Sequence, residues 1–361
     1  MSHIRIAILG TVGVPGNYGG FETLAENLVN FHAGIAKEEQ LAVYCSAKAF
    51  SAHPDRYGSA KLRYIRLDAN GVQSIPYDIF SLLDAVRRGD NRLLLLGVSG
   101  ALSLPLLRIF SRARIVTNID GIEWKREKWK GFAKTFLRVS EWAAVRFSHN
   151  VIADNQAIAD YITETYAAPC DIIPYGGDHA LNAAPDPAAV EGLPEGYALA
   201  LCRIEPENNV AMILEAFSRL DVPLVFVGNW SRSDYGLNLR ARYRDHPNIT
   251  IHNPIYEPHS LRAIRDRASM YVHGHSAGGT NPSLVEMMHF GIPVLAYGCL
   301  FNRHTTEEKA RYFNSAAELA DIVCTLSPQA AAQTGADMGE IAHRRYTWDQ
   351  IGKAYFDLLE N

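Results

Sequence analysis

No run in this 361-residue sequence is long and apolar enough to read as a membrane span. The most apolar uncharged stretch, Leu93 to Leu107, is broken by Gly97, Gly100 and Pro105. It falls short of the roughly 20 residues that a bilayer requires, so it reads as a buried strand followed by a loop and helix. No signal peptide is expected either, because Ile4 to Leu9 is interrupted by Arg5 and runs into a glycine loop. Cysteine is sparse: Cys45, Cys170, Cys202, Cys299 and Cys324 are odd in number and scattered, which fits a reducing cytoplasm and excludes a disulfide framework. Metal-ligand spacing is missing. His273 and His275 have no third ligand spaced to join them, and there is no Asp-x-Asp motif, so neither a metal nor a cofactor is expected. Positive charge is not in excess. The formal net charge of -4 argues against nonspecific nucleic-acid binding. No internal repeat or low-complexity segment is seen, and the Ala330–Ala336 region reads as a helix approach or surface loop.

The composition that remains, 48% hydrophobic and 20% charged, is that of a globular protein with enough chain for two domains. Strand-like runs at Ile4–Leu9, Leu41–Ser46, Leu62–Leu67, Leu93–Gly97, Ile115–Asn118 and Val151–Asn155 alternate with helical stretches. This alternation predicts an α/β domain with a parallel sheet covered on both faces. A stretch from Asp178 to Glu195, rich in Ala, Pro, Asp and Gly, reads as a linker. A second series follows at Tyr197–Cys202, Val222–Val227, Ile249–Ile251, Met270–His273 and Ile292–Ala296.

The most informative segment is Tyr271 to Tyr297. A strand enters a glycine loop, Asn281 stands as an N-cap with Pro282 at the first helical position, and Gly291 closes the short helix. The exposed N–H groups of such a helix start favour an anion, and Gly278 and Gly279 allow a ligand close to the backbone. One turn in, Ser283 and Glu286 share a face. A carboxylate there repels phosphate but can accept hydrogen bonds from the two hydroxyls of a ribose. The set describes a clamp for a nucleotide diphosphate; a capped surface helix with a solvated acid is the alternative.

Near the start, Gly10-Thr-Val-Gly-Val-Pro-Gly16 could also serve as the dinucleotide loop of an oxidoreductase. Two features weigh against it. The second strand ends without an acid, and the loop continues through Asn17-Tyr-Gly-Gly20, too far for a tight pyrophosphate turn. Tyr44-x-x-x-Lys48 imitates a dehydrogenase pair but lies in or just after strand two, and is read as chance. The long glycine loop suits contact with a donor's sugar and phosphate through Gly19 and Gly20. Glu22 is either a first-turn acid favoured by the helix dipole or an acceptor-binding group. Asp154 is a good N-cap placed at a strand end.

The segment His275-Ser-Ala-Gly-Gly-Thr-Asn-Pro-Ser-Leu-Val-Glu286, with Gly10-Thr-x-Gly-Val-Pro-x-x-Tyr-Gly-Gly-Phe-Glu-Thr23 and Arg203-Ile-Glu-Pro-Glu-Asn-Asn209, resembles the GT-B glycosyltransferases of family 4. Within it the chain is similar to a group whose characterised members are β-1,4-rhamnosyltransferases. The resemblance implies two Rossmann-like, doubly wound parallel-sheet domains facing a cleft. These would be an N-terminal acceptor-binding domain over 1–178, to which helix 348–361 crosses back, and a C-terminal nucleotide-sugar domain over 179–347.

It also implies site residues. Glu286 would hold the ribose, and Arg203, Asn208, Gly278, Gly279, Thr280 and Asn281 would meet the donor and its diphosphate. Ile255 lies where relatives hold the base by backbone atoms. Gly278 takes the place of a second Glu usual in the family, and Asn208 that of a Lys. Asp120 of Asp120-Gly-Ile-Glu-Trp124 matches an active-site acid, a base or orienter of the acceptor hydroxyl; without the resemblance it reads first as a turn residue before Gly121. Asp154 matches another. Tyr175, usually Asn, would hydrogen-bond the donor sugar or pack in the hinge. Tyr18, Glu22 and Trp124 are assigned to the acceptor.

The function implied is a metal-independent, retaining transfer of rhamnose or a similar 6-deoxyhexose, from dTDP-rhamnose, to a sugar hydroxyl of a lipid-linked or oligosaccharide acceptor in surface polysaccharide synthesis. Asp120, Asp154, Tyr175 and Arg203 would be the catalytic residues. Another nucleotide sugar such as UDP-glucose, a nucleotide-sugar epimerase or hydrolase, and a non-catalytic sugar-binding module are the alternatives. Between Lys125 and Arg138, Lys125, Arg126, Lys128, Lys130, Lys134 and Arg138 alternate with Trp129, Phe132, Phe136 and Leu137. The 125–146 helix can therefore lie on the inner face of the cell membrane, or pack its aromatics into the sheet.

Overall fold

The computed structural model describes residues 3–16, 19–35, 40–119, 121, 124 and 131–360. The chain divides into two compact units, Met1–Pro174 with Trp348–Asn361, and Tyr175–Thr347. The first unit holds β1 (Arg5–Leu9), β2 (Gln40–Ser46), β3 (Arg56–Tyr57), β4 (Ala60–Ile65), β5 (Arg92–Leu96), β6 (Arg114–Ile119), β7 (Asn150–Ala153) and β8 (Asp171–Ile172). They form one sheet in the order β3-β4-β2-β1-β5-β6-β7-β8, parallel except for the β3–β4 pair. Helices cover both faces of such a sheet, which is why its central strands are apolar without alternation. Ile6 to Leu9 and Leu93 to Leu96 are all buried.

The second unit holds β9 (Ala198–Leu201), β10 (Leu224–Val227), β11 (Ile249–His252), β12 (Met270–His273), β13 (Val294–Tyr297) and β14 (Arg311–Phe313). The order is β11-β10-β9-β12-β13-β14, parallel throughout. Both sheets therefore wind outward in two directions from their first strand. The winding reverses between β1 and β5, and again between β9 and β12. Open α/β sheets bind ligands beyond the strand C-terminal ends at that reversal.

The C-terminal helix Trp348–Glu360 belongs to the first unit. Phe356 stacks on Phe31 at 5.8 Å, and the Asn118 amide donates to the Tyr355 hydroxyl. A Cβ on Gly352 would stand 2.3 Å from the Phe31 ring, so glycine is what allows this helix so close.

Several sequence expectations need correction. The Asp178–Glu195 segment is not a loose linker. It contains 3-10 turns at Asp178–Leu181 and Pro187–Val190 and is stitched to the helix Pro258–Asp266, for example by Asp186 N–H to the His259 carbonyl at 3.0 Å. Ala330–Ala336 lies inside the helix Pro328–Arg345, where alanine's high helix propensity puts it. The N-cap of Gln156–Tyr166 is Asn155, whose side chain accepts from Ala157 N–H; Asp154 sits one residue too early to cap. β3, β8 and β14 were not anticipated, because two or three residues carry no readable period. Tyr44 and Lys48, by contrast, agree with the reading of their spacing as chance: the Tyr44 hydroxyl pairs with Asp84 and Arg63, and Lys48 with Asp68.

Candidate functional site

In the second unit the loops that follow β9 and β12 flank the winding reversal, and side chains lock them together. The Asn209 amide donates to the Gly274 carbonyl at 2.8 Å, and the Ser276 hydroxyl to the Glu207 carbonyl at 2.8 Å. A Cβ at position 274 would lie 2.2 Å from the Asn208 carbonyl oxygen, so Gly274 permits the approach. The buried Tyr271 hydroxyl reaches His273 and Ser283, tying β12 to the start of the next helix.

Arg203 stands on the first of these loops, one-third exposed and 3.8 Å from Glu205. Asn208 is buried and its amide donates to the Arg203 carbonyl at 2.8 Å, so in this structure it braces the turn that presents the arginine. The second loop brings Gly278, Gly279 and Thr280 to the helix Pro282–Met288. Asn281 caps that helix by accepting from Ser283 N–H at 3.0 Å, as its residue type predicts. Gly278 has φ +128°, and nothing lies within 4 Å of where its Cβ would point. The backbone there is one that only glycine adopts readily.

Glu286 is buried rather than solvated. One carboxylate oxygen is ion-paired with the buried Arg265 of the helix Pro258–Asp266, and the other lies 3.4 Å from His179 Nε2. Burial pushes this carboxyl up, but the Arg265 charge and the His179 contact outweigh it and hold it down at about 2. His179 reaches Glu286 because Gly177 passes against the Val285 backbone, 2.6 Å from where a Cβ would be. Neither Arg265 nor His179 was legible from the sequence. They come from segments 21 residues upstream (286 − 265) and 107 residues upstream (286 − 179), and neither lies in a motif.

Ile255 follows β11, and Tyr175 is buried as the first residue of this unit. His273 and His275 stack ring on ring at 4.4 Å; burial lowers the His273 pKa to about 3, so the ring is neutral.

In the first unit the glycine loop follows β1. Glu22, in the first turn of the helix Gly20–Gly34, accepts from the Thr11 hydroxyl at 3.0 Å and from Val12 N–H at 2.9 Å. One turn on, Glu26 accepts from Gly16 N–H at 3.1 Å. Glu22 is thus a brace for the loop, a role not foreseen, and Glu26 shares it. This arrangement works against a dinucleotide loop, because the N–H groups a pyrophosphate would need already face two carboxylates.

Gly19, with φ +131°, and Gly20 open that helix. Trp124 donates to Glu141 at 3.3 Å, under Lys134 and Arg138 at 5.6 and 5.5 Å. Asp154 is buried at the C-terminal end of β7. Asp120, Tyr18 and Lys125 to Lys130 lie outside the described residues.

Sequence reasoning also missed Asp78. It is buried on the helix Ser74–Arg87 against the loop after β5, and burial raises its carboxyl well above the usual range, partly offset by the Gly100 N–H.

Residues 3–178 match the family described as "Domain of unknown function (DUF1972)". No protein of curated function matches the sequence. Among solved structures, the chain is similar to sucrose-phosphate synthase (tll1590) of Thermosynechococcus elongatus, with a TM-score of 0.81 at 16% identity over 99% of this chain and 98% of that one. It is also similar to Anabaena Alr3699/HepE in complex with UDP, with a TM-score of 0.73 at 17% identity over 99% of both chains. A third is a glycosyltransferase of Rickettsia africae ESF-5, with a TM-score of 0.74 at 12% identity over 100% of this chain and 98% of that one. Together with the two parallel sheets, these likenesses show the expected α/β fold of GT-B type with two Rossmann-like units.

Among the described residues no group of three or more His, Cys, Asp or Glu could hold a metal ion. No helix among them is long and apolar enough to cross a membrane.

Proposed function

We propose that this protein is a retaining glycosyltransferase that moves rhamnose, or a similar 6-deoxyhexose, from dTDP-rhamnose to a sugar hydroxyl of a lipid-linked glycan. The observation that carries the reading is Glu286. It is a carboxylate kept ionised by Arg265 at the winding reversal of a Rossmann-like sheet, suited to accept hydrogen bonds from a ribose. The nearby Arg203 and the Gly278–Asn281 loop supply the donors for a diphosphate. In the proposed course the bond from the sugar's anomeric carbon to the diphosphate breaks, and the acceptor oxygen bonds to that carbon on the same face. The acceptor proton passes to the departing phosphate. Arg203 meets the growing negative charge, while Asp120, Asp154 and Tyr175 orient the acceptor and sugar. The first unit takes the acceptor through Tyr18, Glu22 and Trp124, and the second takes the nucleotide sugar, with Ile255 beside the base.

A second reading, another nucleotide sugar such as UDP-glucose, draws support from a further Anabaena Alr3699/HepE structure, which is in complex with UDP-glucose. The test is to offer the purified protein a panel of nucleotide sugars with lipid-linked acceptors and to read products by mass spectrometry and NMR. Rhamnose transfer from dTDP-rhamnose with retained anomeric configuration is expected. Transfer from UDP-glucose alone would establish the second reading, and donor consumed without acceptor would point to a hydrolase or epimerase.

A further inference from the structure

Two neighbouring helices of the first unit, Leu104–Phe110 and Gly131–Phe147, leave large apolar side chains in water. Ile109 is 72% and Phe110 81% exposed, with Leu106, Val139 and Trp142 also open. Leu106, Ile109 and Phe110 fall at i, i+3 and i+4, and Val139 and Trp142 at i and i+3, so each helix gathers them on one side. Monomeric proteins seldom leave such groups uncovered without use.

On these two segments the exposed charge is of one sign. Residues 101–114 contain Arg108, Arg112 and Arg114 and no acid, and residues 131–149 contain Lys134, Arg138 and Arg146 with Glu141 as the lone acid. Glu141 is buried and turned inward, accepting from Trp124, Tyr161 and Tyr166. His149, just past the foot of the second helix, has its pKa lowered first by burial and then by the charges of Arg108 and Arg114. Arg108 of the first helix and Arg114 at the start of β6 thus stand near the end of the second helix.

We propose that this face of the first unit docks on an anionic lipid surface, with Phe110, Ile109 and Trp142 entering the headgroup boundary and the arginines meeting lipid phosphates. Tryptophan and phenylalanine suit that boundary, and arginine keeps its charge at the surface while its stem lies along apolar groups. A second copy of the chain is a poor occupant, because a twofold contact would set this cationic face against itself. The surface takes in the described part of the 125–146 helix considered in the sequence and adds the helix Leu104–Phe110, which the sequence reading did not connect with a membrane. Its use rests on the lipid-linked acceptor proposed above, since a membrane-bound acceptor is met by an enzyme lying on that membrane.

The test is sedimentation of the full chain with vesicles of phosphatidylcholine alone, or of equal parts phosphatidylcholine and phosphatidylglycerol, with no nucleotide sugar present. The protein should sediment with the anionic vesicles only and be released by high salt. Ile109→Ser with Phe110→Ser should lower binding at least about tenfold, and Arg108→Glu with Arg112→Glu should remove the preference for anionic lipid. Circular dichroism of the variants should match the parent, since all four positions are exposed. No sedimentation with either vesicle, or variants that bind like the parent, overturns the proposal. So does concentration-dependent dimerisation in ultracentrifugation that Phe110→Ser abolishes. Vesicle binding without sugar transfer would leave this surface standing and sink the proposed activity, and transfer to a soluble acceptor without vesicle binding would do the reverse.

Discussion

Glu286 carries its charge inside the second unit because Arg265, with His179, offsets its burial, and the Arg265 pairing carries two predictions. Its folded pKa of about 2 lies below the usual 4.5, so its contribution to stability is whole above pH 4.5 and fades as the pH falls toward 2. Such a shift corresponds to on the order of 3 kcal/mol. Removing either partner strands the other: Arg265→Met or Glu286→Leu should each cost about 3–5 kcal/mol, while the two together should cost much less than the sum. Urea denaturation at pH 7 measures the cycle, and strictly additive costs would show that the two groups act independently. In calorimetry, Glu286→Gln should also weaken donor binding by about 1.5–3 kcal/mol, the worth of a hydrogen bond to a charged group. Asp78 has the opposite sign. Its carboxyl is raised by burial, so the unfolded chain ionises first and stability drains away as the pH climbs above the usual carboxylate range. Asp78→Asn keeps an acceptor for Gly100 N–H and should be more stable than the parent at pH 7, in the same denaturation assay.

At the scale of elements, the two loops beside the winding reversals are held in different ways. The loop after β1 leans on carboxylates from its own following helix. Glu22→Ala strands the Val12 N–H and the Thr11 hydroxyl and should cost about 1–3 kcal/mol, with faster amide exchange at Val12 as the local readout. Unchanged exchange there would mean that the loop is held by something else. The loop after β12 leans on the loop after β9, which presents Arg203. Arg203→Ala should lower turnover by about a hundredfold to a thousandfold with the fold intact; near-normal turnover would remove the arginine from the reaction. The cap on the helix Pro282–Met288 was readable because Asn281 and Pro282 act on their own neighbours in the chain. The brace by Glu22 was not readable, since a first-turn acid looks the same whether it faces water or a loop.

At the scale of the molecule, each unit has its own sheet and its own buried core. The first is completed by the last helix of the chain. Trp348, Ile351, Tyr355, Phe356 and Leu359 are buried there, and each apolar side chain of this size contributes about 1.5–3 kcal/mol. A chain ending at Thr347 should therefore lose amide protection in β1, β5 and β6 while β9 to β13 keep theirs, as hydrogen exchange by mass spectrometry would report. Equal loss in both units would mean that they do not fold apart.

The two α/β units, most of their strands and the capped helix Pro282–Met288 could be read from the linear order of residues. Each depends on neighbours within a few positions: apolar runs that need covering on both faces, glycines where the chain turns, and an asparagine ahead of a proline. What needed three dimensions was the set of partners. Burying a carboxylate demands a cation, but nothing in the chain says which one. Arg265 and His179 are brought to Glu286 by the packing of a helix and by a glycine that lets the backbone close in. The exposed apolar face of the first unit likewise became visible only once packing had decided which leucines, isoleucines and phenylalanines the core would not cover.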